Sequence, residues 1–391
     1  MGESSKETAP LRVMTVYGTR PEAIKVAPIV KALEADSDIE SIVVVTGQHR
    51  EMLDQVNEGF DIRPDLDLDI FEPGQTLTDV TTKSLRGIGQ AIEKFGPDAV
   101  VVQGDTTSVL AGAMAGFYAK VPVVHVEAGL RTADRYTPFP EEINRRLTTQ
   151  LASLHLAPTQ TSRDALLHDN VPAEDIVVTG NTVIDALLWS VDRGEGYGDP
   201  SLDERLADAA TPMVLVTAHR RESWGEPMRQ VGAALAQLAD RFPDHLFVWP
   251  AHRNPLVREA IVPAVQGKTN VIVTEPVSYA HFGRLMRRAE VLLTDSGGVQ
   301  EEGPSLGKPV LVMRETTERP DAVTAGTAKL VGTDPRVIVD EVSRLLTDPA
   351  AHAAMANAIN PYGDGRAAQR SVQAIRHYFG RGERPEEFSV N

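Results

Sequence analysis

The sequence predicts an α/β protein built from two doubly wound parallel-sheet domains, and three observations carry that expectation. Short β-branched runs alternate with longer amphipathic segments along most of the chain, as in parallel strands covered by helices. The strand runs are nearly continuous in valine, without polar alternation, as burial on both faces demands. At 391 residues the chain exceeds one domain of roughly 100 to 200 residues, and the alternation starts afresh after a polar, Gly-rich stretch.

Residues 1–10 are polar with no apolar core segment, so they read as a disordered tail rather than a signal or transit peptide. Lys6 also breaks the pattern that myristoylation at Gly2 needs. The first domain is expected over 11–190. Within it 11–17, 41–46, 99–103, 121–127 and 176–179 are strands by β-branched content, and 77–95, 108–120, 141–153, 160–169 and 183–190 are helices by apolar periodicity. The Gly- and Asp-rich stretch 191–210 reads as a linker. The second domain, 211–363, repeats the scheme with strands at 213–217, 246–250, 271–273, 291–294, 309–313 and 328–331. No short-period repeat or low-complexity tract is present, which excludes solenoids and collagen-like arrays.

The 55 acidic residues outnumber the 39 basic ones, and the net charge of −16 repels both nucleic-acid backbones and anionic lipid. The 10 Phe, 7 Tyr and 3 Trp are scattered rather than interleaved with cations, so base-stacking platforms lack support. Zero cysteine removes disulfides, thiolate zinc sites, iron–sulfur clusters and a cysteine nucleophile, and it fits a cytoplasmic protein. No apolar stretch is long enough to span a bilayer. A small anionic ligand remains compatible with this charge wherever cations converge.

Ligands of open parallel sheets bind beyond the carboxyl ends of the strands, and there this sequence is rich in chemistry. The tail Asp295-Ser296-Gly297-Gly298 brings backbone N–H groups, a hydroxyl and a helix start to one turn, either a phosphate cradle with Glu302 on the ribose or an ordinary capped turn. Arg20 and Lys25 follow the first strand and either share a phosphate or lie on a solvated face. Asp105, Glu127 and Glu141, with Glu142 beside the last, suit proton removal and return, although Asp105 and Glu141 also fit helix starts. Glu127 closes an apolar strand, where a charge needs a ligand or a cation such as Arg131. His219 precedes two arginines and suits a departing phosphate, or is structural. The 10 histidines show no metal-binding spacing, and the alternating Asp65 to Asp69 run reads as a half-exposed extended segment, so no metal is expected. Neither a dinucleotide nor a P-loop fingerprint occurs.

Taken in order, GTRPEAIK (18–25), QHREML (48–53), QGDTTS (103–108), HVEAGLRT (125–132), PEEINR (140–145), GNTVID (180–185), TAHRRES (217–223), DSGGVQEE (295–302) and TTERPDA (316–322) resemble the non-hydrolysing UDP-N-acetylglucosamine 2-epimerases over nearly the whole chain. The resemblance implies a GT-B fold, two Rossmann-like domains facing a central substrate cleft, with a C-terminal helix in 364–391 crossing back to the first domain, and a homodimer. It also implies interconversion of UDP-N-acetylglucosamine and UDP-N-acetylmannosamine by anti-elimination of UDP to 2-acetamidoglucal and re-addition, with no cofactor. Residue by residue, it assigns catalysis to Asp105, Glu127, Glu141 and His219, leaving open which carboxylate is base and which acid. Arg20, Lys25, Phe282, Ser296, Gly297, Gly298, Glu302 and Arg319 correspond to substrate contacts. Gln48, Arg220 and His252 match an allosteric site for a second UDP-N-acetylglucosamine, whose pattern Glu51 and Gly74 break. The rival readings are a GT-B glycosyltransferase with a UDP-sugar donor, a hydrolysing epimerase and a non-catalytic UDP-sugar sensor.

Overall fold

The computed structural model describes residues 9–47, 50–132 and 134–390. Most of the expected tail and the whole of Gln48 lie outside the described residues. The described chain divides into two compact units, one running through Ala186 and completed by Gly363–Ser389, the other Leu187–Tyr362.

The first unit alternates strand and helix: β1 (Leu11–Tyr17), α1 (Arg20–Glu34), β2 (Ile39–Val45), α2 (Arg50–Gly59), β3 (Leu66–Asp67), α3 (Leu77–Phe95), β4 (Ala99–Gln103), α4 (Thr107–Ala119), β5 (Val123–Val126), α5 (Glu141–Leu151), β6 (Leu154–Ala157), α6 (Gln160–His168), β7 (Ile176–Val178) and the start of α7 (Thr182–Val191). Among the described residues these strands form a seven-stranded sheet in the order β3-β2-β1-β4-β5-β6-β7. All of its pairings are parallel. The valine runs are buried on both sides, as expected. Val13 and Val101 face Ile29 and Leu33, while Met14, Val16, Val100 and Val102 face Ile88, Ile92 and Val109. The register pairs Val16 with Val102 and Gln103 with Val126, so the residues that follow β1, β4 and β5 emerge along one edge of the sheet. The order reverses between β1 and β4, the switch point where ligands gather in such sheets.

The second unit repeats the pattern with α8 (Pro200–Arg205), β8 (Met213–Thr217), α9 (Glu226–Arg241), β9 (Leu246–Pro250), α10 (Pro255–Val265), β10 (Val271–Thr274), α11 (Tyr279–Arg288), β11 (Val291–Thr294), α12 (Gly297–Glu302), β12 (Val310–Val312), α13 (Pro320–Thr324), β13 (Ala328–Leu330), α14 (Pro335–Thr347) and α15 (Pro349–Ala356). Its sheet among the described residues has the order β10-β9-β8-β11-β12-β13, the same winding with its switch point between β8 and β11. Both sheets are Rossmann-like, and no helix among the described residues is long and apolar enough to cross a membrane.

Two features differ from the sequence-based expectation, β6 and the stretch 191–210. Strand β6 was not expected, because Leu-His-Leu-Ala is short, poor in β-branched residues and starts three residues after α5 ends. The stretch 191–210, expected as a linker, carries α8 and buries Leu202 and Leu206 in the core of the second unit. Its glycines and aspartates mask these two apolar anchors. The segment 364–391 supplies α16 (Ala367–Tyr378), which packs Ala368, Val372 and Ile375 against the α1 side of the first sheet. Asp185 accepts hydrogen bonds from the Ala367 and Ala368 amides at the start of α16 (3.2 and 2.9 Å).

Candidate active site

In the first unit, the turn after β1 is set by close approach. A Cβ at Gly18 would lie 2.0 Å from Thr46 Oγ1, so no larger residue fits. Thr19 and Glu22 form a capping box that opens α1. The buried Glu22 carboxylate accepts from the Gly18 and Thr19 amides (2.8 and 2.6 Å) and from the Thr106 hydroxyl, tying the β1 turn to the β4 turn. Burial raises its pKa, and these hydrogen bonds oppose the rise.

Helix α1 carries Lys25 to the end of β5, where its Nζ meets Glu127 Oε1 at 2.5 Å. The Gln103 side-chain amide donates to the other Glu127 oxygen. Glu127 has φ +62, a left-handed backbone unusual for a residue with a side chain and of the kind that clusters at functional sites. Gly129 must remain glycine, because φ is +95 and a Cβ there would lie 2.2 Å from the Ser162 carbonyl oxygen. The cation paired with Glu127 is therefore Lys25. Arg131 turns instead to Asp169 (2.9 Å) and Thr149 (3.0 Å).

Asp105 follows β4 and is gripped by Arg145 of α5, through Nε at 3.1 Å and through Nη2. Asn144 Nδ2 donates to the Asp105 carbonyl oxygen at 3.0 Å. Burial raises the Asp105 pKa; Arg145 partly offsets this, and the negative charge of Glu127 adds to the rise. Of the neighbouring α5 carboxylates, Glu142 is fully buried and held below its ordinary pKa. Burial opposes that shift, but Arg146 and Thr132 hydrogen bonds outweigh it. Glu141 has one buried carboxylate oxygen with no hydrogen-bond partner among the described residues. Behind the turn, His125 Nε2 lies 2.7 Å from the Gly104 carbonyl oxygen, and burial pushes this histidine down to about 4. Lys25, Asp105 and Glu127 are thus brought together, with Arg20 half-buried at the start of α1.

In the second unit, Asp295 at the end of β11 organises the β8 tail. Its Oδ2 accepts from the His219 and Arg220 amides (2.6 and 2.8 Å), and Oδ1 lies 2.8 Å from His219 Nδ1. Burial alone would raise the Asp295 pKa, but the His219 hydrogen bond and charge hold it below the usual range. His219 also stacks on His252, with ring centroids 5.9 Å apart. A Cβ on Gly297 would lie 3.4 Å from Arg220 Nη2 and 3.8 Å from Arg319 Cζ, so two guanidinium groups converge on this turn. Arg319 pairs with Glu301, and Glu302 accepts from the Tyr279 hydroxyl at 2.6 Å. Arg314 ties both loops together through Glu222 and Glu318 (each 2.6 Å). His219, Arg220, His252, Ser296, Gly297, Gly298, Glu302 and Arg319 therefore belong to one neighbourhood or its flanking turns, while Phe282 packs on the core of the unit. Among the described residues no group of three or more His, Cys, Asp or Glu side chains could hold a metal ion.

A family model described as UDP-N-acetylglucosamine 2-epimerase matches residues 31–376. The chain belongs to that family. It is 53% identical over 372 residues to the UDP-N-acetylglucosamine 2-epimerase of Yersinia pestis, covering 94% of this chain and 99% of the relative. The Escherichia coli K12 enzyme of the same name is 52% identical over 373 residues, covering 94% and 99%. The crystal structure of UDP-GlcNAc 2-epimerase from Neisseria meningitidis bound to UDP-GlcNAc superposes with a TM-score of 0.80 at 45% identity, covering 94% of this chain and 100% of that one. The motifs quoted above contain three residues to which the sequence gives no role of their own: Glu22 in GTRPEAIK, Gln103 in QGDTTS and Arg145 in PEEINR. The available signal was their place inside those motifs: Gln103 ends an apolar strand, Glu22 lies in the first turn of α1 and Arg145 in the second turn of α5.

Proposed function

We propose that this member of the epimerase family is a non-hydrolysing UDP-N-acetylglucosamine 2-epimerase that interconverts UDP-N-acetylglucosamine and UDP-N-acetylmannosamine without a cofactor. The observation that carries the reading is the interacting pair Asp105 and Glu127, each with its own cation, at the ends of the adjacent strands β4 and β5, the first of which borders the switch point of the sheet. Inversion at C2 needs one group to take a proton from one face and another to return a proton on the other, and two carboxylates in unlike surroundings can divide that work.

In the forward half-reaction a carboxylate removes the C2 proton while the C1–O bond breaks and its electron pair leaves with UDP, giving 2-acetamidoglucal. In the second half a UDP oxygen re-adds to C1 and a proton is delivered to C2 on the opposite face, so protons balance and no redox partner is consumed. Arg20, Lys25 and His219, with the Ser296 to Gly298 turn and Arg319, are assigned to the diphosphate, whose departing charge they stabilise. Glu302 is assigned to the ribose, Phe282 to the uracil region, and Glu141 remains a reserve proton carrier. Binding of UDP-GlcNAc by the Neisseria relative supports the substrate class. A homodimer in the cytoplasm, and activation by a second UDP-N-acetylglucosamine through Gln48, Arg220 and His252, complete the reading; activation would appear as sigmoidal substrate dependence.

Incubation with UDP-N-acetylglucosamine in deuterium oxide tests it. The expected result is deuterium at C2 of both recovered UDP-sugars with little free UDP. Stoichiometric UDP with free N-acetylmannosamine makes the protein a hydrolysing epimerase. Recovered donor with unchanged C2 hydrogen rejects epimerisation.

A further inference from the structure

We infer that Arg145 is a positioning residue that holds Asp105 by one carboxylate oxygen, Oδ2, and thereby dedicates the other, Oδ1, to the substrate proton. This rests on the epimerase reading above and adds a residue to it. Both contacts from Arg145 to Asp105, Nε at 3.1 Å and the closer Nη2, fall on Oδ2, so neither occupies Oδ1. The guanidinium is itself fixed from behind. Its Nη1 donates to Glu142 Oε2 at 3.2 Å, and the fully buried Glu142 is anchored by the Thr132 amide (3.0 Å) and Arg146 Nε (2.6 Å). Adjacent Asn144 holds the Asp105 main chain at its carbonyl oxygen. Helix α5 therefore fixes Asp105 at backbone and side chain together. A planar fork bound on two edges is a rigid orienting device that an ammonium cannot reproduce.

Three charged groups act on Asp105: Arg145, Glu127 and Lys25. Arg145 supplies the larger of the two positive charges that oppose burial and Glu127, Lys25 the smaller. Removing it therefore drives Asp105 toward its protonated form.

The test is the rate of C2 deuterium incorporation into UDP-N-acetylglucosamine as a function of pH, with purified full-chain enzyme. For Arg145→Gln the expected result is a kcat at least about tenfold lower, a KM within about threefold of wild type, and an upward move of roughly one pH unit in the limb set by Asp105. Arg145→Lys should bring the limb back while restoring the rate only in part. Unshifted limbs in Arg145→Gln, or a loss carried by KM, overturn the inference. Should Arg145→Gln not fold, Arg145→Lys decides: a wild-type kcat there rejects the fork, and a lowered kcat with unchanged KM and melting temperature upholds it. Absence of exchange in the wild-type protein rejects the parent reading instead, and this inference with it.

Discussion

The two units share one winding of the sheet, yet the edges that carry the candidate residues differ in how most of their charges are held. In the first, burial sets the tone: Asp105 and Glu22 are pushed above the ordinary carboxylate range, and His125 and His155 are pushed down to about 4 and about 3. In the second, pairing wins. Asp295 is held low by His219 despite its burial, Arg314 is raised chiefly by its hydrogen bond to Glu318, and Glu318 falls to about 2 in return. On the proposed reading this contrast has a use: groups that move protons need two protonation states close in energy, whereas groups that meet a diphosphate need charges that do not titrate.

The largest expected break between the two comes from Asp105→Asn or Glu127→Gln. Each should lower C2 deuterium exchange by at least about a hundredfold while UDP affinity changes little. Calorimetric titration with UDP checks the second half of that statement, and matched losses of exchange and affinity would erase the contrast. Arg314→Met should act oppositely. Removing a buried guanidinium leaves Glu222 and Glu318 without their shared cation, costing about 2 kcal/mol of stability and loosening the loops that carry His219 and Arg319. Urea unfolding reads the first effect and UDP affinity the second; an unchanged midpoint would show the pairs to be ornamental.

Asp295→Asn should cost about tenfold in turnover, because His219 loses the carboxylate that fixes its Nδ1 proton while the two amide contacts can persist to the asparagine oxygen. A wild-type rate across the pH range would leave His219 without an orienting role. A separate contrast lies in pH-dependent stability. His125 and His155 face each other on β5 and β6, and their folded pKa values are depressed below the ordinary 6.5. As pH falls below 6.5 the unfolded chain takes up protons that the folded chain refuses, so stability is lost from there down toward about 4 and about 3. Each histidine contributes a slope of up to about 1.4 kcal/mol per pH unit. His155→Leu should flatten the dependence of unfolding free energy between pH 6.5 and 5, and an unaltered slope would contradict the assignment.

The strand ends were legible because a buried valine run that stops at Gly-Asp or Glu announces where the sheet edge lies. Asp105, Glu127 and the Asp295 to Gly298 turn could be marked on that basis. Their partners could not. Arg131 stands four residues from Glu127 and looked like its counter-ion, but Lys25, 102 residues away, fills that place because β1, β4 and β5 lie side by side in the sheet. Arg145 lies 40 residues from Asp105, and Gln103 looks like one more strand residue. Pairings of this kind follow from strand order, which periodicity does not contain. The four-residue β6 and the apolar anchors of α8 escaped for a local reason, too few residues to show a period.

The return of α16 to the α1 face has a consequence for synthesis. The ribosome emits everything needed for the 187–362 unit before it emits the helix that completes the earlier one. Nascent protein must therefore hold Ile29, Leu33 and Val372's future berth without cover while the later-made unit can already close, since domains generally fold as units as they emerge. During that interval the earlier sheet is the more vulnerable half to aggregation and to proteases, even though its strands are made before those of the later unit.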